Sequence, residues 1–218
     1  MKWIVLSVAL SVVATAGADT IALFNGKDLS GWKIAPMDGG GTVSVVSNSS
    51  VSCGIGDPMT GIAYTNPIPV MNYELSLEAM RVEGSDFFIA LTIPVGTNFC
   101  TVIIGGWGGG LCGISSVDYT DASENQWSEH ITLKNHCWYH LRVRVTPGVL
   151  QVFLNDDLYT ARIEYEASSR FSLRPGSDID MTKPLGLATY RTGALWRNFS
   201  LTSVTALRPS DKALGDSL

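Results

Sequence analysis

The chain has 218 residues and a formal net charge of −5 at pH 7, with 15 Lys and Arg against 20 Asp and Glu. Its basic residues occur singly or in scattered pairs, which excludes the positively charged groove that nucleic-acid binding requires. The length suits one all-β domain, because sandwiches of about 200 residues often fold as a single unit.

The amino terminus has the pattern of a secretion signal. Lys2 supplies the charged start, residues 3–13 the apolar run, and Ala16-Gly17-Ala18 a cleavage site of small residues. The apolar run is shorter than the roughly 20 residues that a membrane span needs, and no second apolar segment follows it. We therefore predict that residues 1–18 are removed and that the mature chain, beginning near Asp19, is secreted or periplasmic without a membrane span.

After the signal, the first distinctive segment is Leu23-Phe24-Asn25-Gly26-Lys27-Asp28-Leu29-Ser30-Gly31-Trp32. Asn25-Gly26 favours positive backbone dihedral angles and a tight chain reversal. Trp32 offers a large flat surface that either a second sheet or a ligand ring could cover. Because Trp32 closes a short turn beside the first strand, we expect its role to be structural.

Period-two alternation and β-branched residues dominate the rest of the chain, and helical periodicity is absent. In the strand pattern at 138–146, one face is apolar and the other carries three polar side chains that should face water: His140, Arg142 and Arg144. Pro147-Gly148 and Asn155-Asp156-Asp157 are predicted turns. The segments with a strand pattern are 42–47, 72–82, 86–93, 99–105, 127–134, 138–146, 150–155, 158–164, 184–190 and 194–201.

Many short strands without intervening helices predict an all-β fold, a two-sheet antiparallel sandwich of the jelly-roll kind. We expect it to form one domain over residues 19–208. Residues 209–218 contain little apolar material, so we predict a loose carboxyl-terminal tail.

The chain has four cysteines: Cys53, Cys100, Cys112 and Cys137. An even number in an exported chain permits disulfides. Cys100 and Cys112 flank a glycine-rich reversal and could be cross-strand neighbours, so a bridge between them is our first prediction. The alternative is four free thiols, because buried cysteine packs as a small hydrophobic residue.

Several segments together resemble a known family, the bacterial 3-keto-disaccharide hydrolase domain. They are 23–32, Asn72-Tyr73-Glu74-Leu75, Trp138-Tyr139-His140-Leu141, Val152-Phe153-Leu154-Asn155, Pro184-Leu185-Gly186-Leu187 and Trp196-Arg197-Asn198-Phe199. The resemblance spans nearly the whole mature chain and implies a sandwich of the concanavalin-like lectin/glucanase type. Where many members have a Gln-x-His step, this chain has Ala188-Thr189-Tyr190.

The resemblance implies action on sugars oxidised at C3, with cleavage of the glycosidic bond by elimination and then hydration. A C3 ketone acidifies the C2 hydrogen, so a carboxylate or histidine can remove it while a cation, hydroxyl or metal stabilises the enolate oxygen. The carboxylate pair of ordinary glycosidases is not needed. Two other classes stay open: a non-catalytic, lectin-like carbohydrate-binding module and a structural domain of the cell envelope.

Acidic residues near the middle of the chain are the candidates for acid and base chemistry. Asp86 begins an apolar strand, Asp118 and Asp121 lie in a polar loop, and Glu124 ends that loop. Glu124 is our first choice, because its small and polar flanks give it little packing to do. The alternative is that these loop side chains only cap turns.

The candidates for sugar binding are Trp107, Asn125, Tyr190 and Arg191. Trp107 lies in a run of glycines that lets the backbone bend. Its indole could stack on a sugar ring, or it could fold back over the core. Arg191, beside Tyr190, could orient hydroxyl groups or a developing oxyanion, and Asn125 could make polar contacts.

A metal site is not predicted from the histidines His130, His136 and His140. Four residues of extended chain span roughly 13 Å, so His136 and His140 cannot share an ion on one strand. No cofactor is firmly indicated. A divalent cation such as calcium, held by Asp118, Asp121 and loop carbonyls, stays open because hard oxygen ligands are present.

Overall fold

The computed structural model describes residues 19–47 and 49–204, with the backbone alone for 157–161. The predicted signal at 1–18 and the predicted tail at 209–218 lie outside the described residues. In chain order the strands are β1 (Thr20–Ala22), β2 (Trp32–Ile34), β3 (Val43–Val46), β4 (Ser50–Cys53), β5 (Met59–Tyr64), β6 (Tyr73–Glu83), β7 (Ile89–Val95), β8 (Asn98–Gly106), β9 (Leu111–Ser115), β10 (Ser128–His130), β11 (Trp138–Thr146), β12 (Val149–Leu154), β13 (Asp157–Glu164), β14 (Gly186–Tyr190) and β15 (Gly193–Ser203).

These strands form two antiparallel sheets. The first has the order β13-β12-β11-β6-β15-β4-β3, and β1 also pairs with β15. The second has the order β10-β9-β8-β7-β14-β5-β2. Strands β14 and β15 thus lie inside different sheets, β14 between β7 and β5 and β15 between β6 and β4. The predicted all-β, two-sheet jelly-roll sandwich is confirmed.

Helical structure among the described residues is limited to two short 3-10 helices, Ser168–Arg170 and Asp178–Thr182. Neither of them, nor any other helix in the described part of the chain, is long and apolar enough to cross a membrane.

The core lies between the inward faces of the two sheets. Leu75 and Leu77 of β6 and Val143 of β11 contribute from the first sheet, and Leu91 of β7 and Val102 of β8 from the second. All five side chains are completely buried. Removing one such aliphatic side chain by mutation to alanine costs about 2–5 kcal/mol, so this layer holds the sandwich together.

Two long aromatic side chains of the first sheet cross the core and bond to backbone on the second. The Tyr73 hydroxyl donates to the carbonyl of Pro94, and the Trp196 indole nitrogen donates to the carbonyl of Phe88. These carbonyls lie at opposite ends of β7. Because each bond fixes one point of β7 against the first sheet, the pair sets how the two sheets sit on each other.

The two predicted hairpin turns are confirmed. Asn155 and Asp156, with φ of 50° and 68°, connect β12 to β13, and Gly148, with φ of 80°, lies in the turn between β11 and β12. One detail of β11 is corrected. Arg144 was expected to face water, but it is 1% exposed. Its Nε donates to Glu74 Oε2 at 2.8 Å, and this ion pair allows the charge to be buried.

The predicted Cys100–Cys112 bridge is wrong, because all four cysteines are free thiols. The ladder between β8 and β9 pairs Cys112 with Ile104 rather than with Cys100. Four residues along a strand span about 13 Å, whereas a disulfide needs Cα atoms within about 7 Å. Burial raises the pKa of Cys53 to about 12 and that of Cys112 to about 11.

Candidate functional site

A cleft of about 440 Å³ opens on the outer face of the second sheet, on the side away from the core. Its floor consists of side chains from β5, β8, β9 and β14: Met59, Thr101, Ile103, Ser115 and Tyr190. Several of these belong to a second, smaller apolar cluster that is separate from the main core. The cleft therefore has a rigid floor that is already part of the folded sheet.

Small residues on this outer face allow loops to lie close against the sheet. Ala90 of β7 and Ala188 of β14 belong to the same outer cluster. A Cβ on Gly61 of β5 would lie 2.8 Å from the backbone oxygen of Leu187 and 3.0 Å from the Met37 methyl group, so glycine lets Met37 lie close against the sheet. On another part of the face, Ser115 Oγ accepts a hydrogen bond of 2.9 Å from the backbone N–H of Ala122. The loop that contains Ala122 forms one side of the cleft through residues 119–121.

Trp107 forms one side of the cleft, in the turn between β8 and β9. Its side chain is 44% exposed, so the indole lies along the cleft and does not fold back over the core. Its φ is +46°, and Gly108 and Gly109 follow with φ of +91° and +102°. A bulky residue in the left-handed region costs about 1–3 kcal/mol, so the surrounding contacts must hold this turn.

Tyr190 and Phe87 form a second aromatic group in the cleft. Their ring centroids are 5.6 Å apart, and both residues line the cleft. Arg191 does not line it. Its guanidinium lies 5.6 Å from the centre of the Tyr190 ring and pairs with Asp57 at 3.4 Å, with both charged side chains largely exposed.

Ala188 and Tyr190, at the positions noted in the sequence, lie on the outer face of the second sheet, and Tyr190 lines the cleft. Leu187 of β14 packs in the main core, so Ala188 and Tyr190 point to the opposite face. Thr189 points inward, and its hydroxyl lies 3.7 Å from the Cys53 sulfur. Ala188 and Tyr190 therefore share the outer face of β14, and Thr189 between them belongs to the opposite face.

Asp118 is held in an ion pair and does not line the cleft. Arg170 Nε donates to both carboxylate oxygens, at 3.1 and 3.2 Å, and Nη2 makes a third contact. These hydrogen bonds from Arg170 hold the pKa of Asp118 below its usual range. Arg170 also lies over the Trp127 ring at 4.8 Å. The pair fastens the loop after β9 to the 3-10 helix at Ser168–Arg170.

Asp121 is the carboxylate that lines the cleft. Its backbone N–H donates to Glu124 Oε2 at 3.1 Å, and its carbonyl accepts from Asn125 Nδ2 at 2.9 Å. The carboxylate itself makes no hydrogen bond or ion pair with any residue that the structure describes. It is half-buried, so it offers an unoccupied acceptor to whatever enters the cleft.

Glu124 and Asn125 build the loop that carries Asp121, and neither lines the cleft. Glu124 is exposed, and its backbone N–H donates to the Asp121 carbonyl at 2.9 Å. Asn125 Nδ2 also donates to the Ile114 carbonyl at 2.9 Å, and its Oδ1 accepts from the Trp127 N–H. The side chains of Glu124 and Asn125 thus hydrogen-bond to backbone groups and stabilise the turn of the loop.

Asp86 lies beneath the Trp107 turn and outside the cleft lining. Its Oδ1 accepts from the backbone N–H of Phe87 at 2.7 Å, and its Oδ2 accepts from the N–H of Gly108 at 3.3 Å. The predicted candidates thus separate into two groups. Trp107, Asp121 and Tyr190 line the cleft, and the other five lie outside its lining: Asp86, Asp118, Glu124, Asn125 and Arg191.

Sequence reasoning missed two parts of the cleft. Tyr119, with φ of +65°, is 82% exposed at the rim. The 172–179 segment supplies two hydroxyls, Ser172 and Ser177, and the exposed Arg174, which pairs with no carboxylate among the described residues. Arg174-Pro175-Gly176 has the composition of a turn, which predicts a loop but not which face of the sandwich it covers.

The described residues do not support a metal centre. They contain no cluster of three or more His, Cys, Asp or Glu side chains that could hold an ion. Asp118, one of the two predicted calcium ligands, already pairs with Arg170. His140 Nε2 lies 2.7 Å from the Ser76 hydroxyl, and both residues belong to the first sheet, away from the cleft. These donors do not fit a shared cation.

The two-sheet architecture with a cleft over one sheet defines a lectin-like β-sandwich of the jelly-roll type. The chain belongs to the family of 3-keto-alpha-glucoside-1,2-lyase-like domains, whose model matches residues 19–202. This match confirms the family resemblance of the sequence motifs.

Solved structures share the fold at low sequence identity. A Bacillus subtilis protein of unknown function with a galectin-like fold has a TM-score of 0.61 at 11% identity, covering 86% of this chain and 96% of its own. Domain 4 of AbnA, a GH43 extracellular arabinanase from Geobacillus stearothermophilus solved with arabinotriose, has a TM-score of 0.56 at 16% identity, covering 89% and 96%. The Bacillus subtilis carbohydrate-binding module CBM66 has a TM-score of 0.54 at 14% identity, covering 79% and 96%. None of the curated proteins compared with the chain matches it.

Proposed function

We propose that this chain is a carbohydrate-active protein that binds a 3-keto-glycoside in the cleft beside Trp107. The observation that carries the proposal is the pairing of an exposed indole with an unpaired carboxylate, Asp121, on the same cleft. A pyranose ring presents C–H groups on its faces and hydroxyls at its edge. An aromatic surface and a few polar groups match these two features.

The dimensions and lining of the cleft support a small sugar ligand. Its volume of about 440 Å³ lies within the range of small-molecule sites, about 300–1,000 Å³. Tyr119 and Tyr190 add aromatic surface, and Ser116 and Thr120 add hydroxyls. The family description points to 3-keto-α-glucosides as the ligand class. Two of the structural neighbours are a carbohydrate-binding module and an arabinanase domain, which supports a sugar ligand at the level of the fold.

Calorimetric titration with methyl 3-keto-α-glucoside tests binding, with methyl α-glucoside as the unoxidised control sugar. We expect Trp107→Ala to weaken binding of the keto sugar by at least about tenfold, because an aromatic anchor is lost. Trp138→Ala is the matched control, since Trp138 is a partly exposed tryptophan on the first sheet. Equal losses in the two variants, or no loss in Trp107→Ala, would contradict the proposed site.

A second candidate function, cleavage of the bound 3-keto-glycoside, is favoured by the free carboxylate of Asp121. In this reaction the carboxylate takes the C2 proton, and the electron pair of that bond forms the enolate with the C3 ketone. The enolate then expels the C1 alcohol, which gains a proton, and leaves a C1=C2 double bond. Addition of water across that bond, with hydroxyl at C1 and hydrogen at C2, gives the free 3-keto sugar.

The residues around Asp121 can assist this chemistry. Arg174 on the cleft rim supplies a positive charge for the enolate oxygen. Glu124 and Asn125 bond to the backbone of Asp121 and so support the loop from which its side chain projects. Asp118 serves less well as the base, because the hydrogen bonds from Arg170 stabilise its charged form and make it a weaker proton acceptor.

Product analysis by NMR separates the two functions. Incubation with a 3-keto-disaccharide should release a free sugar, while the matching unoxidised disaccharide should stay intact. Binding without release identifies a lectin-like module. Release that persists in Asp121→Asn would rule out Asp121 as the base.

We further propose that the protein is secreted or periplasmic, on the strength of the signal pattern at residues 1–18. Expression of the full chain in a bacterial host should give a mature protein that begins near Asp19. Intact mass of the product checks this, and a retained Met1 with cytoplasmic location would contradict it.

A further inference from the structure

We propose that Arg81 and Asp86 are positioning residues that clamp the Trp107 turn and thereby set the affinity of the cleft for glycosides. The effect on glycoside affinity rests on the proposed function. The clamp itself rests on contacts within the protein.

Arg81 is a charged residue at a core-facing position of the first sheet. Along β6, alternate residues point into the core: Tyr73, Leu75, Leu77, Ala79 and then Arg81. An aliphatic residue would continue this pattern. Arg81 is instead an arginine that is only 5% exposed, and burial lowers the pKa of its guanidinium. Because a buried charge is costly unless its donors are satisfied, its partners reveal what it does.

The guanidinium of Arg81 reaches across to loops beside the second sheet. Nη1 donates to the carbonyl of Gly109 at 3.1 Å and to that of Asp86 at 3.3 Å. Nη2 donates to the carbonyl of Leu133 at 3.1 Å, and Nε donates to Asn135 Oδ1 at 2.6 Å. Arg81 therefore joins three loops, and one of its direct contacts lies two residues after Trp107.

Asp86 also bonds to the Trp107 turn, through its side-chain carboxylate. Its Oδ2 accepts the N–H of Gly108 at 3.3 Å, next to the Gly109 carbonyl that Arg81 binds. Two successive residues after Trp107 are thus fixed by two side chains of opposite charge. In both hydrogen bonds one partner is charged and the other is a neutral backbone group. Such a bond is stronger than one between two neutral groups.

The backbone of the turn explains why it needs a clamp. Trp107 has a left-handed φ of +46°, which a bulky residue adopts only when its surroundings enforce it. The indole is 44% exposed, so packing of the ring alone cannot supply that enforcement. A Cβ on Gly109 would lie 3.0 Å from Arg81 Nη1, so the glycine leaves the space that the guanidinium occupies.

Fluorine NMR of protein labelled with 5-fluorotryptophan tests the clamp directly. The Trp107 resonance is assigned by its loss in Trp107→Phe. Arg81→Lys keeps a positive charge but cannot bond to Gly109, Leu133 and Asn135 together. Asp86→Asn keeps one acceptor oxygen, so either Phe87 or Gly108 loses its partner. We expect both variants to shift or broaden the Trp107 resonance while the other tryptophans keep their positions.

Arg197→Lys is the matched control. Arg197 is also an arginine of the first sheet, but it pairs with Glu78 at 2.7 Å and lies over Trp138. This variant should leave the Trp107 resonance unchanged. In titrations with methyl 3-keto-α-glucoside, we expect the two clamp variants to bind about tenfold more weakly and Arg197→Lys to bind as the wild type does.

The outcomes separate the clamp from the proposed function. An unchanged Trp107 resonance in both clamp variants, even with a lower melting temperature, overturns the clamp and leaves Arg81 a purely structural residue. If Arg81→Lys does not fold, Asp86→Asn decides the question. If the wild-type protein binds no glycoside, the proposed function fails, and the resonance still decides whether the turn is clamped.

Discussion

The indole nitrogen of Trp32 donates a hydrogen bond of 2.8 Å to the backbone carbonyl of Leu23, at the other end of the segment 23–32. The N–H of Leu23 in turn donates to the carbonyl of Phe199 on β15 at 2.8 Å. The Trp32 ring also packs against Tyr64 and Phe199, with centroids 5.0 and 5.3 Å away. The segment 23–32, which carries the first family motif, therefore connects the two sheets.

Replacing Trp32 by Phe should destabilise the protein without affecting the cleft. The substitution leaves the buried Leu23 carbonyl without its donor, which costs about 1–3 kcal/mol in the free energy of unfolding. Urea denaturation measures this cost, and Trp138→Phe, at a partly exposed position, should cost less. Binding of methyl 3-keto-α-glucoside should not change, because Trp32 does not line the cleft. A loss of affinity at unchanged stability would contradict the structural role.

Asp121→Asn and Glu124→Gln should have different effects on cleavage of a 3-keto-disaccharide. The first removes the proposed base, and loss of a general base lowers a rate by about 10²–10⁴-fold. The second keeps an oxygen that can accept the hydrogen bond from the Asp121 N–H, so it should retain most of the rate. Release of free sugar under single-turnover conditions measures both. If Glu124→Gln loses the activity and Asp121→Asn keeps it, the roles of the two acids are the reverse of those proposed.

Acid should weaken the contribution of Asp118 to stability. Hydrogen bonds from Arg170 place the pKa of Asp118 below its usual range in the folded protein. A carboxyl with a lowered folded pKa contributes its full stability above the unfolded pKa, about 3.9, and loses it as pH falls through the folded pKa. We expect Asp118→Asn to cost at most about 1 kcal/mol at pH 6, because the pair is partly exposed, and less at pH 3.

Urea denaturation of the wild type and Asp118→Asn at the two pH values measures this difference. The control is the same comparison in an Arg170→Gln background, where the pH-dependent part of the difference should disappear. A difference that does not vary between pH 3 and pH 6 in the wild-type background would show that the ion pair contributes nothing.

Thiol labelling should distinguish Cys137 from the other cysteines. Burial raises the pKa of Cys53 to about 12 and of Cys112 to about 11, and Cys100 is completely buried, whereas Cys137 is exposed. Because the thiolate is the reactive form, iodoacetamide at pH 8 should modify one thiol per folded chain and four in denaturant. Peptide mapping identifies the site. Fewer than four reactive thiols in denaturant would reveal a disulfide.

The strands that the sequence predicts best are those with one face buried and one face polar. The pattern at 138–146 has the bounds of β11, and the pattern at 72–82 coincides within one residue with β6, in which buried and partly exposed residues alternate. By contrast, β5 and β9 are buried on both faces, because loops cover the outer side of the second sheet. Their sequences, Met59–Tyr64 and Leu111–Ser115, contain glycine and show no alternation. Such strands could not be told from loops without knowing what lies over them.

In the candidate site, too, the sequence predicted the local features and not the contacts between distant residues. Trp107 among glycines predicted a bent turn, which is a local feature, but left open whether the ring is exposed or folds over the core. Asp118, Asp121 and Glu124 look alike in sequence, since each lies in one polar loop. Only Asp121 lines the cleft, because Asp118 pairs with Arg170, which is 52 residues away in sequence.

The amino-acid sequence by itself determined the all-β class, the family and the positions of the turns, since these depend on the order of apolar, polar and glycine residues along the chain. The tertiary structure alone decided which carboxylate is free and how Trp107 is held. Arg81 and Gly109, 28 residues apart, meet only because two sheets pack face to face. A side chain's role in this cleft depends on such distant partners, which no local pattern records.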